Sequence, residues 1–280
     1  MPSADSAALP DATAPDPELS ALVEIWWRTV ADLTALLDEL DEPDFDLPTD
    51  LPGWDVRAVA GHVAHLESVL AGGEETADVP PAPHITGPMS AFTEIGVINR
   101  RGRTGAEITA EIREVTAKRH AALAADPPTD PAAPAPGVFG ALGWPIRTLL
   151  RNRPLDVWMH EQDIRRAVGR PGGMDSPGAA HVAEYLAESL GFVLGKRMKA
   201  ARGTTVTVDV DGYVVTATVG DDGRGRLLPE PTADATRIAT DRESFILRAG
   251  GRREVPLERF TVDGDGDLAA RLVAALAVTP

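Results

Sequence analysis

Apolar residues recur at spacings of three and four through the first half of the chain and switch to alternation in the second. From Glu18 to Leu40 the apolar positions are Leu22, Ile25, Trp26, Val30, Leu33, Leu36, Leu37 and Leu40, which predicts a long amphipathic helix. An acidic, Pro-containing loop at Asp41–Gly53 leads to Trp54, read as a packing anchor for the turn. Asp55 is placed to cap a second helix ending at Leu70, whose stripe is Val56, Val59, Val63, Leu66 and Leu70. Ala71–Pro88 reads as a Gly/Pro-rich loop and Ser90–Asn99 as a short helix. Thr104–Ala125 reads as a helix opened by a Thr104/Glu107 capping box. After an irregular Pro/Ala-rich stretch, Asp126–Gly143, helix resumes over Pro145–Val168, with Pro154 expected to start or kink it. Gly169–Gly173 stops it.

Ser176–Ala200 is again helical. Then Thr204–Val210 alternates with period two, Asp211-Gly212 gives a tight turn, and Tyr213–Val219 alternates back, a strong hairpin signal. A third strand is expected near Arg226–Leu228 and a fourth at Thr236–Thr240. A helix follows at Arg242–Ala249, then a short strand at Phe260–Val262 and a last helix at Asp267–Leu276. The fold class is therefore α+β. The pattern gives a tail at 1–17 of disordered composition, a helical bundle at 18–172 with about four main helices, and a small α+β domain at 173–280.

Of the 280 residues 43% are hydrophobic, enough for sizeable cores, and the formal net charge is −16. That charge argues against nucleic acid and anionic membrane surfaces as partners. The acidic excess lies in the first 195 residues, because from Lys196 onward 13 Lys and Arg match 13 Asp and Glu. No apolar run reaches the roughly 18 residues of a membrane span, and no leader pattern is seen at the N-terminus; with no cysteine in the sequence, the expected compartment is the cytoplasm. The absence of cysteine removes disulfides, thiolate-ligated zinc and a cysteine nucleophile together. Any thiol chemistry must use a thiol supplied by a cofactor.

Candidate chemistry gathers on two of the predicted helices. Within Arg153–Asp163, helical spacing stacks Asp156 and His160 one turn apart, with Asp163 on the same side and Glu161, Arg165 and Arg166 pointing away. A carboxylate and an imidazole so placed can share a metal ion or simply hydrogen-bond. On the second helix His62 borders the apolar stripe, whereas His65 is expected toward solvent. His84 in its loop and His120 near a helix C-terminus need no further role. Together His62, Asp156 and His160 form the two-imidazole, one-carboxylate set of an open zinc site; ferrous iron accepts the same set. Asp163 would then orient a ligand histidine or hold Arg147 or Arg151. Gly264–Asp267 lacks the full calcium-loop pattern and reads as a turn and cap.

The stretch Leu51-Pro-Gly-Trp-Asp-Val-Arg, followed by His62 eight residues after the tryptophan, resembles the first motif of the mycothiol-dependent maleylpyruvate isomerase family. Asp156, His160, Asp163 and Arg165 are spaced like its second, metal-binding motif, and Thr204–Leu276 is similar to its sterol-carrier-like C-terminal domain. The resemblance implies a DinB-like four-helix bundle in which His62, Asp156 and His160 hold zinc or another divalent metal. The family's glutamate is replaced here by Asp156. It implies mycothiol as cofactor and a small electrophile as partner, with isomerisation of a maleylpyruvate-like substrate or S-transfer as the reaction. It also implies an active-site arginine from the C-terminal domain, for which Arg248, Arg253 and Arg259 are the candidates. The alternative is a non-catalytic module that binds metal or lipid.

Overall fold

The computed structural model describes residues 14–279. The tail expected over Met1–Pro17 falls outside these residues as far as position 13, and its last residue, Pro17, opens the first helix.

Helix α1 (Pro17–Asp38) begins where the Asp16 carboxylate accepts the Leu19 amide at 2.9 Å, satisfying an otherwise orphaned donor. Helix α2 (Val56–Leu70) starts the same way, with Asp55 accepting the Ala58 amide at 2.7 Å. Helix α3 (Pro88–Arg100) follows the 71–87 loop. Helix α4 (Gly105–Ala125) has the expected capping box: Glu107 Oε2 accepts from the Thr104 amide at 2.8 Å and Thr104 Oγ1 from the Glu107 amide at 3.3 Å. A single short helix, α5 (Gly137–Ala141), interrupts the irregular stretch. Helix α6 (Ile146–Ala167) runs unbroken through Pro154. Pro154 therefore lies inside the helix and does not start it.

Helix α7 (Pro177–Ala187) is followed by the short α8 (Leu190–Phe192) and a wide turn at Val193–Arg197. The sheet comprises β1 (Thr205–Val210), β2 (Tyr213–Val219), β3 (Gly225–Leu228), β4 (Thr236–Thr240) and β5 (Thr261–Asp263), in the order β3-β2-β1-β4-β5. Strands β1 and β2 form the hairpin, with Val210 opposite Tyr213. Its two-residue turn places Asp211 at φ 48° and Gly212 at φ 90°, the doubly left-handed geometry that suits the twist of paired strands. Strand β4 runs parallel to β1, and α9 (Arg242–Ala249) and α10 (Gly266–Ala275) complete the α+β fold.

The chain divides into two compact units, one of residues up to Glu42 with Ala60–Val157, the other of Pro43–Val59 with Trp158 onward. The division falls inside α2 and inside α6. The first unit buries Trp26, Leu33, Val63, Ile108, Ile112, Leu149 and Leu150; the second buries Val206, Ala217, Val219, Ile238, Phe245 and Leu272. Among the described residues no helix is long and apolar enough to cross a membrane.

Candidate metal centre

The α2 stripe turns Val59 and Val63 inward, and His62 goes in with them; the residue is 4% exposed. Its Nε2 lies 3.5 Å from Oδ2 of Asp156 on α6. His160 follows Asp156 by one turn and is also buried. One ligand atom from each of His62, Asp156 and His160 falls within 4.8 Å of the others. A tetrahedral ion with bonds of roughly 2.0–2.1 Å keeps its ligand atoms about 3.3 Å apart, so the His62–Asp156 pair already stands near that separation. Two imidazoles and a carboxylate suit zinc or ferrous iron. The residues present fit a divalent metal.

The surroundings orient these side chains. His160 Nδ1 lies 3.2 Å from Oδ2 of the fully buried Asp163, which turns Nε2 the other way. Burial alone would raise the Asp163 pKa, but the His160 hydrogen bond and the charges of Arg252 and Arg166 outweigh it and hold the carboxyl below its usual range. Arg252 Nε donates to both carboxylate oxygens, at 3.0 and 3.2 Å, and Arg166 Nη2 donates to Oδ1. Arg166 Nε reaches Asp50 at 2.9 Å, and Arg253 clamps the same Asp50 through Nε and Nη2. The Trp54 ring sits 6.2 Å from the His160 ring, tilted by 43°, so Trp54 packs beside a site histidine as well as in its own turn.

On the Asp156 side, Arg153 Nη2 donates to Oδ2 at 3.0 Å. Arg153 also donates through Nε to Glu67 Oε1 at 3.0 Å, and Glu67 accepts Arg119 Nη1 at 2.7 Å and Trp26 Nε1 at 3.0 Å. Burial pushes the Glu67 pKa up, yet the two guanidinium groups overcome it and keep the carboxylate ionised.

Several expectations need correction. His65 is not toward solvent but fully buried, because α3 covers that face; its Nδ1 lies 3.2 Å from Glu75 Oε2 and its ring 5.0 Å from that of Phe92. Glu161 is buried rather than exposed, paired with Arg165 at 2.6 Å where the Gly172–Gly173 backbone folds over it. Arg166 does not point away from the site, since it donates to Asp163. Arg147 pairs with Glu18 at 2.8 Å instead of with Asp163. His84 lies 3.2 Å from Glu94, and His120 stacks on Trp27 at 4.4 Å.

The three candidate arginines separate by environment. Arg248 is buried and donates to the Ala274 carbonyl, tying α9 to α10. Arg259 donates to Ser244 and Asp241 at the start of α9. Arg253 is half-exposed on Asp50. Sequence reasoning passed over Arg252, the guanidinium that reaches Asp163, and the Glu67–Arg153–Arg119 cluster. Glu67 did carry a signal: it stands on the apolar stripe between Val63 and Leu70, where a charge requires a buried partner.

A family model for the mycothiol maleylpyruvate isomerase N-terminal domain matches residues 26–165. The chain belongs to the mycothiol-dependent maleylpyruvate isomerase family. In this family member the match includes His62, Asp156 and His160. A crystal structure of the mycothiol-dependent maleylpyruvate isomerase is similar with a TM-score of 0.54, at 16% identity over 88% of this chain and 92% of that one. The structure of a histidine-to-alanine mutant of a mycothiol-dependent maleylpyruvate isomerase gives 0.52 with the same identity and coverage. At that identity the likeness carries the fold, a helical N-terminal part followed by an α+β part. No curated protein matches the chain.

Proposed function

We propose that the protein is a metal-dependent isomerase that uses mycothiol and acts on maleylpyruvate or a closely related unsaturated acid. The observation that carries this reading is the convergence of His62, Asp156 and His160 inside the segment matched by the family. Zinc held by the three would supply a Lewis acid at this position that favours the thiolate form of a thiol. The chain has no cysteine to compete for that position. The remaining work belongs to the protein. Asp163 fixes the His160 ring, Arg153 holds the Asp156 carboxylate, and the burial of both histidines keeps bulk water from their nitrogens. A thiolate adds to the conjugated double bond of the substrate, the resulting single bond rotates, and the thiolate leaves again, so the thiol is returned unchanged. An anionic substrate calls for a guanidinium. Arg253 and Arg248 of the C-terminal part are candidates. Arg253 is the more accessible, with Asp50 as the partner it would have to share, and the neighbouring Arg252 is the arginine that touches Asp163. In this reading residues 18–172 are the metal-binding bundle, and 173–280 are the appended sterol-carrier-like domain.

The test is metal content of the untagged protein, followed by turnover of maleylpyruvate with and without mycothiol. The expected result is about one zinc per chain and thiol-dependent turnover, both lost in His62→Ala. Full turnover by the mutant overturns the proposal. Stoichiometric consumption of mycothiol would reassign the reaction to S-transfer.

A further inference from the structure

We propose that Arg153 is the positioning residue for the metal ligand Asp156, clamped from behind by Glu67 so that it can present the carboxylate to the ion. The inference rests on the metal reading above.

The guanidinium is fully buried and lies between two carboxylates. Nη2 is 3.0 Å from Asp156 Oδ2 and 2.9 Å from Glu67 Oε1, and Nε is 3.0 Å from the same Glu67 oxygen. Oδ2 of Asp156 is the oxygen that faces His62 Nε2 at 3.5 Å. Arg153 therefore touches the atom that would bind metal. Glu67 cannot swing away, because Arg119 and Trp26 hold it and the Arg119 guanidinium lies 4.4 Å over the Trp26 ring. Glu67 sits on α2 five residues after His62, and Arg153 sits on α6 three residues before Asp156. One side chain thus ties the two helices together beside the point where their ligands meet.

Stability alone does not account for this arrangement. Taking two guanidiniums and a carboxylate out of water costs several kcal/mol per ion before pairing offsets it. Arg153 Nη1 makes no hydrogen bond among the described residues, so the burial is not even fully compensated. A planar fork reaching two carboxylates at once is what an aspartate ligand with a short stem needs if it is to be aimed rather than merely present.

The experiment is a double-mutant cycle of Arg153→Met and Asp156→Asn, read as the zinc dissociation constant by chelator competition and as the thermal midpoint of the metal-free protein. Arg153→Met is expected to weaken zinc by about 10- to 100-fold, the usual effect of losing an outer partner of a ligand. In the Asp156→Asn background it should change the constant by less than about twofold, since the ligand it serves is gone. Parent-like affinity in Arg153→Met overturns the inference and leaves the metal site standing. An equal loss in both backgrounds also overturns it, because Arg153 would then act through the general fold. If the parent binds no zinc, both readings fall. Should Arg153→Met not fold, Arg153→Lys, which keeps the charge but cannot span both carboxylates, is read by the same criteria.

Discussion

Asp163 Oδ2 lies 3.2 Å from Nδ1 of His160, three residues earlier on the same helix, and the carboxylate has no exposure to solvent. Arg252 and Arg166 keep it charged from the other side. Replacing Asp163 with asparagine preserves the shape and removes the charge that fixes the ring. Zinc affinity in Asp163→Asn is expected to fall about 10- to 100-fold, measured by chelator competition. Unchanged affinity would show that the His160 ring needs no such support.

His62 and His65 are both buried on α2, yet they face different neighbours. His62→Ala should abolish stoichiometric metal and leave a folded protein. His65→Ala should keep its metal and lose about 1–3 kcal/mol of stability, as expected when a buried polar side chain and its partner are separated. Metal content and urea midpoints on both mutants decide this, and loss of metal from the second would overturn the assignment.

Glu75 anchors the loop after α2. Arg100 grips it with two hydrogen bonds, at 2.7 and 2.8 Å, and His65 and Asn99 add to the hold. Burial opposes ionisation, but these donors prevail and the Glu75 pKa is far below the ordinary value. A carboxyl depressed in the folded state adds stability that is complete above the unfolded pKa of about 4.3 and drains away as pH drops through the folded value. Glu75→Gln should therefore be less stable at pH 7 by about 1–2 kcal/mol, after allowance for solvent screening of this partly open pair. The gap to the parent should shrink below about pH 4. Urea titrations across pH 3–7 would test the sign, and a gap that widens in acid would refute it.

Gly96 lets α3 approach α2 closely. A Cβ added there would stand 2.1 Å from His65 Cβ and 3.0 Å from the Gly61 carbonyl oxygen, so backbone must move. Gly96→Ala should cost about 1–3 kcal/mol, the usual penalty of overpacking, despite the better helix propensity of alanine. A rise in thermal midpoint would contradict it.

Local pattern was enough for most elements. Asp55, Thr104 and Asp241 cap helices through bonds within four residues, and the hairpin turn is written in Asp211-Gly212. Helical spacing also selected His62, Asp156 and His160 from six histidines and many carboxylates. Burial imposed by distant chain was not legible. His65 looks exposed until α3 covers it, and Glu161 until Gly172–Gly173 does. The loop Asp41–Gly53 reads only as a connection into the second helix, yet its Asp50 binds Arg166 and Arg253, 116 and 203 residues away. No period along the chain encodes such pairings. Arg252 was hidden for the same reason, standing in a Gly-Gly-Arg-Arg turn where neither arginine has a helical face to be read from.

The unbroken course of α6 bears on how mutation can harm this centre. Asp156 and His160 lie one turn apart on the same helix, so a change in that helix's position carries both. His62 arrives from another helix and depends wholly on its angle of roll. Turning α2 by a single residue, about 100°, would carry His62 off and leave nothing in its place. Inactivating changes should therefore cluster where α2 is seated, far from the donors themselves, and such damaged chains would still look folded.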